Sequence, residues 1–387
     1  MGGGIVKKIL RSLLLLFIAF PSVAAAASPP LESLRLEDLG RSELPAPPMP
    51  VLAPLTRSAA YDWAGLPAYI FTEEEKVSDV LVKAIDRTAS TLDVALYNLQ
   101  IPAAAKALIQ ARDRGVKLRV ILDYEHVYPK AGREMQDLVD AGLDVRVMKG
   151  RAGSGSMHCK FAIFDSRLME TGSANWSLSA ENASYENLMF LSDKHIIQGY
   201  QADFEWMWQQ ARPAGKPDAP AAKPTAPPAD PTPAVNFNGT PLPDYIFSPR
   251  GGTEATMVKA IDAARSEVDV AMFSFTSKPA MAALVRASAR GVKVKMLLYA
   301  KSAFPFREEV KRNGIEVRLK EGRVGNGLMH NKYAVLDASL LINGSFNWSA
   351  TAEQLNTENT IFTMAPVYVS PYKAEFDKLF LQGFAPK

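Results

Sequence analysis

A chain of 387 residues, 48% hydrophobic and 22% charged, is long enough for two or three folded domains and too apolar for a disordered polymer. One cysteine, Cys159, excludes a scaffold held by intrachain disulfides. The formal charge is only +3, from 44 basic and 41 acidic residues, so net charge says little about partners.

The first residues carry Lys7, Lys8 and Arg11, then an apolar run over 13–20 and a small-residue stretch over 23–27. This order is that of a signal peptide, so residues 1–27 are expected to be a leader and the protein to be exported, periplasmic or secreted. Its removal takes three basic residues and leaves the remainder neutral. No later segment offers some twenty uninterrupted apolar residues, so no transmembrane helix is expected. Residues 28–60, rich in Pro and Ala, read as an arm.

Two similar halves follow. Lys83-Ala84-Ile85-Asp86 matches Lys259-Ala260-Ile261-Asp262, and Arg114-Gly115-Val116-Lys117 matches Arg290-Gly291-Val292-Lys293. The expected domains are 61–210 and 242–387, joined by a Pro/Ala-rich linker over 211–241. In the first, strands are expected over 91–99, 116–123 and 143–148, with helices over 103–113 and 133–141 between them. The second repeats the pattern with strands over 268–275, 292–299 and 315–320 and helices over 279–290 and 306–313. Strands alternating with helices predict an α/β fold, its sheets covered by helices. Charge is uneven: residues 66–210 hold 16 basic and 20 acidic residues, and residues 242–387 hold 19 and 14. A polyanion is therefore expected to meet the second half.

The most informative feature is a duplicated block. Met157-His158-Cys159-Lys160, Asp165 and Gly172-Ser173-Ala174-Asn175-Trp176-Ser177 form one copy. Met329-His330-Asn331-Lys332, Asp337 and Gly344-Ser345-Phe346-Asn347-Trp348-Ser349 form the other. Glu186-Asn187 and Glu358-Asn359 follow them. Residues two apart on a strand share a face, so each His and its Lys can look into one pocket while Cys159 points into a core. Phosphodiester cleavage needs a nucleophile, an acid for the leaving oxygen and positive charge around phosphorus. Imidazole can supply the first two, Lys the third, and Asn and Ser can donate to phosphate oxygens. An Asp beside each imidazole, Asp165 or Asp337, is expected to fix its tautomer. His126 and His195 have no matching histidine; His126 is read as an ordinary loop residue, with shaping of a substrate mouth as the alternative, and His195 as structural or exposed. No cluster has zinc-site spacing.

The doubled H-x-K-x-x-x-x-D followed by G-S-x-N resembles the phospholipase D superfamily over both halves, most of all its bacterial nuclease and mitochondrial cardiolipin-hydrolase branch. The resemblance implies two tandem domains with mixed sheets, related by a pseudo-twofold axis around one cleft. It implies no cofactor, no metal and a covalent phosphohistidine. His158 is then the nucleophile and His330 the acid and later base. Lys160, Lys332, Asn175 and Asn347 bind phosphate, with Ser173 and Ser345 as further donors and Glu186 and Glu358 in support. Nucleic acid is expected as substrate ahead of phospholipid, and a noncatalytic polyanion- or envelope-binding protein is the remaining alternative. No obligatory protein partner is expected.

Overall fold

A computed structural model describes residues 65–128, 132–215 and 226–386. The leader and the whole arm lie outside them. Two mixed sheets carry the same strand order. The first runs Tyr69–Phe71, Asn187–Leu191, Leu168–Gly172, Lys160–Phe164, Thr91–Leu96, Lys117–Asp123, Asp144–Met148, with Arg212–Pro213 added at the edge. The second runs Tyr245–Ser248, Glu358–Thr363, Leu340–Gly344, Lys332–Leu336, Glu267–Met272, Lys293–Tyr299, Glu316–Lys320. In each, three neighbouring strands are parallel and the rest antiparallel.

The parallel strands need crossover helices, and the sequence provides them. Pro102–Asp113 begins with proline at its first turn, where the missing N–H costs nothing, and buries Ala104, Ala107, Leu108 and Ala111. Lys278–Ala289 is its counterpart, started by the Ser277 side chain accepting the Ala280 N–H. These helices cover the outer face of each sheet over separate apolar cores. Phe304 and Phe306 pack with Phe275 against the second of these cores.

A third apolar core lies between the two sheets and draws on both halves. Its centre is a pair of helices that the periodicity argument did not include, Lys194–Gln210 and Pro366–Gln382. Tyr200 of the first meets Phe247 of the other half at 4.8 Å. Tyr372 of the second meets Phe71 at 5.1 Å, and its hydroxyl donates to Asn187 Oδ1 at 2.9 Å. Both tyrosines are fully buried. Each aromatic side chain sequestered this way stabilises the union of the halves by about 2–3 kcal/mol.

Two expectations change in detail. The strand expected over 91–99 stops at Leu96, and Leu99–Gln100 pairs instead with Trp176–Ser177, beside Asn175. The expected linker is ordered at its end: Val235–Phe237 and Thr240–Leu242 form a hairpin around Asn238-Gly239. Both turn residues have positive φ, 52° and 91°, which Asn and Gly tolerate, so this two-residue signal was readable in the sequence. Residues 216–225 of that stretch lie outside the described residues. Among the described residues no helix is long and apolar enough to cross a membrane.

Candidate active site

Each motif histidine sits just before its strand, where the chain is pinned by the opposite half. Met157 bridges to Thr357, and the His158 N–H donates to the Thr357 carbonyl at 2.8 Å. Met329 bridges to Tyr185, and the His330 N–H donates to the Tyr185 carbonyl at 3.0 Å. The two motifs therefore meet at the seam between the halves.

Side chains cross the seam as well. His158 Nδ1 lies 2.8 Å from Glu358 Oε2, and His330 Nδ1 lies 2.7 Å from Glu186 Oε1. A carboxylate accepting from Nδ1–H fixes the tautomer and leaves Nε2 as the nitrogen for chemistry. Each half thus orients the histidine of the other. The glutamates are held in turn by the motif serines: Ser173 Oγ donates to Glu186 Oε2 at 2.7 Å, and Ser345 Oγ to Glu358 Oε2 at 2.5 Å. A hydroxyl has one proton to donate, so these serines are not free to donate to a phosphate as expected. The motif glycines bring the serines into place. A Cβ on Gly172 or Gly344 would lie 2.3 Å or 2.2 Å from the carbonyl of Asn187 or Asn359, a clash that only glycine avoids.

Lys160 and Lys332 are buried and donate through Nζ to the carbonyls of His158 and His330, at 2.8 Å and 2.7 Å. Burial pulls their pKa values down to about 8 and about 7, against the upward pull of Glu358 and Glu186. Burial pulls His158 down to about 4, opposed by Glu358 and assisted by Lys160. His330 is pushed well down by burial and by the charges of Lys332 and Lys160. Burial also raises Glu186 to about 8. Both ammonium groups act on both imidazoles, as one site requires.

Aromatic rings complete the walls. Tyr97 meets His158 edge-on at 4.6 Å, and Phe273 meets His330 in the same way at 4.6 Å. Lys160 and Lys332 lie over these two rings at 5.0 Å and 5.2 Å. The sequence reading missed this pair, though Tyr97 and Phe273 are matching positions of the repeat. The His126 ring lies tilted against Tyr97 at 4.0 Å, next to the His158 end. His195, by contrast, is bound to Asp244 at 2.8 Å on the helix Lys194–Gln210. Asn347 Oδ1 accepts the Ser274 N–H at 3.3 Å, next to Phe273. Asn175 stands at the matching position, with Oδ1 buried.

The motif aspartates are a correction. Asp165 lies at the far end of the strand Lys160–Phe164, roughly 16 Å from Lys160. Its carboxylate accepts from the backbone N–H groups of Ala89, Ser90 and Thr91 and from Ser90 Oγ. Asp337 accepts in the same way from Arg265, Ser266 and Glu267, and from Asn238 Nδ2 at 2.6 Å. Both sit at positive φ, 51°, and clip a tight turn to the preceding loop. The carboxylates beside the imidazoles are Glu358 and Glu186. Spacing along the strand could not reveal this, because the partner comes from about half a chain away.

Cys159 is buried and its Sγ donates to the Thr357 carbonyl at 3.4 Å. Asn331, at the matching position, accepts from Asn187 Nδ2 at 2.8 Å. With no amide on the Cys159 side, Asn359 Nδ2 turns to Thr171 Oγ1 and the Tyr200 hydroxyl. Arg323, just before the second motif, is spent on structure, donating to the carbonyls of Ser184 and Glu181.

Comparison with known proteins agrees with this geometry. The family described as "Cardiolipin synthase, PLD-like domain" matches residues 81–208 and 257–380. A mitochondrial cardiolipin hydrolase of Xenopus tropicalis is 34% identical over 128 residues, 33% of this chain and 59% of that protein. The human protein of the same name is 32% identical over 133 residues, 34% of this chain and 51% of its own. The match thus spans about half to three fifths of these relatives. The phosphatidylserine synthase of Haemophilus influenzae has the same fold at a TM-score of 0.60 and 12% identity, over 83% of this chain and 88% of that one. The expectation of export is corrected here: the curated relatives are named as mitochondrial proteins, not periplasmic or secreted ones. With the family matched across both halves and the two motifs joined at one seam, this chain belongs to the phospholipase D superfamily.

Proposed function

We propose that this chain is a phosphodiesterase that hydrolyses phospholipids, cardiolipin first among them, at one site shared by its two halves. The observation that carries the chemistry is the pair of crossed contacts, His158 to Glu358 and His330 to Glu186. Two oriented imidazoles with two ammonium groups beside them are what an in-line phosphoryl displacement requires. The choice of lipid rests on the names of the relatives, and it reverses the expected order of nucleic acid before phospholipid.

In the first step, neutral His158 attacks phosphorus through Nε2, and a P–N bond forms as the P–O bond to the leaving alcohol breaks. His330 gives its proton to that oxygen. Water then gives a proton to His330, the resulting hydroxide attacks phosphorus, and the P–N bond breaks to return neutral His158. Which histidine attacks follows the family pattern. Burial suits His158 to its task by keeping it neutral. His330 needs a proton, and the diester anion supplies the opposite charge that raises its affinity for one. Lys160, Lys332, Asn175 and Asn347 face the nonbridging oxygens.

The test is a parallel assay on cardiolipin vesicles, phosphatidylcholine vesicles and single-stranded DNA, with H158A as the control for contaminating activity. Release of phosphatidate from lipid, lost in H158A and retained in a strong chelator, is expected. Cleavage of DNA with neither lipid touched would overturn the substrate reading. Loss on chelation with rescue by a divalent ion would overturn the histidine mechanism.

A further inference from the structure

A pseudo-twofold site has two like ends, whereas its substrate has two unlike ones. The direction in which a diester binds is therefore set by groups that lack a counterpart in the repeat. Aligning the two blocks from their histidines pairs Lys320 with Met148, Glu321 with Lys149, and Tyr185 with Thr357. At the His158 end the cation Lys149 is neutralised by Glu125 at 2.6 Å. At the His330 end Glu321 is taken by Lys301 at 3.4 Å, while Lys320 has no carboxylate partner among the described residues.

Lys320 is placed close to the chemistry. It ends the strand Glu316–Lys320 and is in register with Tyr299 on the next strand. Tyr299 stacks on Phe273 at 5.3 Å, and Phe273 meets His330 at 4.6 Å. The Lys320 ammonium lies 4.6 Å from the ring centre of Tyr185, the residue whose carbonyl holds the His330 N–H. An ammonium held over a ring face rather than by a carboxylate keeps its charge, and the N–H donors turned away from the ring, for an anion.

We propose that Lys320, laid over Tyr185 at the His330 end of the cleft, binds the second phosphate of a lipid that carries two phosphodiester groups. The lipid identity rests on the function proposed above. With His330 protonating the leaving oxygen, the second phosphate belongs to the departing half of the substrate. Lys320 thereby decides which of the two glycerol oxygens faces the acid.

Calorimetric titration of the full chain with glycerol 1,3-bisphosphate and with glycerol 1-phosphate tests this without relying on turnover. The bisphosphate should bind about tenfold more tightly, as one charge-assisted contact implies. K320M should abolish that advantage, K320R should keep it, and K149M, at the other end, should keep it. No advantage in the unaltered chain, an advantage surviving K320M, or an equal loss in K149M would each overturn the proposal. Assay of the unaltered chain on cardiolipin and phosphatidylcholine vesicles separates the two levels. If neither lipid is hydrolysed the lipid reading fails, while the titration still reports on Lys320.

Discussion

At the scale of residues, the site depends on burial working against charge. Lys332 and Lys160, lowered to about 7 and about 8, lose their protons as pH rises through those values, and with them the charge proposed to receive the phosphate. His158, lowered to about 4, stays neutral above that pH, as the proposed nucleophile must. His330, the proposed acid, is itself held well below its ordinary range in the free enzyme, so the profile of kcat/KM against pH should fall first as His330 loses its proton and again between about pH 7 and 8 as the lysines do, well below the range of an ordinary lysine. A basic limb near pH 10 would contradict the assignment of buried lysines to the phosphate. The orienting glutamates give a second check. Removing a carboxylate that holds an imidazole typically costs about 10–100-fold, so E358A should lower kcat by that order although Glu358 is 200 residues from His158. An unchanged kcat in E358A would mean that the tautomer is fixed by something else.

At the scale of elements, the two aspartates of the motif hold turns. D165A and D337A remove the acceptor for three backbone N–H groups apiece, comparable to losing a helix cap, and should cost about 1–2 kcal/mol in urea unfolding. A loss of kcat in folded D165A as large as that in H158A would return Asp165 to the chemistry. The same residues show how far sequence reasoning reaches. The paired histidines and lysines, and the sheets that carry them, were legible because strand periodicity and the repeat are local signals. The Glu-Asn pairs were visible only as repeated residues. That Glu186 serves His330 and Glu358 serves His158 needed the seam, and no spacing within one half encodes it. The helices Lys194–Gln210 and Pro366–Gln382 went unread for a similar reason: they bury residues against both halves, so their apolar stripes are broader than a one-sided pattern.

At the scale of the whole molecule, the halves share a core, and neither holds a complete site. Thermal or urea unfolding should be a single cooperative transition of the two halves together, because the central cluster belongs to both. Y372A should weaken it by about 3–5 kcal/mol, and Y372F by about 1 kcal/mol through the bond to Asn187. Two separate transitions in the unaltered chain would show halves that fold apart. The central claim is that one diester meets both histidines, one attacking phosphorus and one serving the leaving oxygen. Rapid quenching of turnover followed by peptide mass spectrometry tests it most directly. A phosphoryl adduct on His158, absent in H158A and persisting longer in H330A with a substrate whose leaving group needs no acid, is the predicted result; an adduct on His330 with His158 unmodified, or turnover in the protein lacking both histidines, would contradict it.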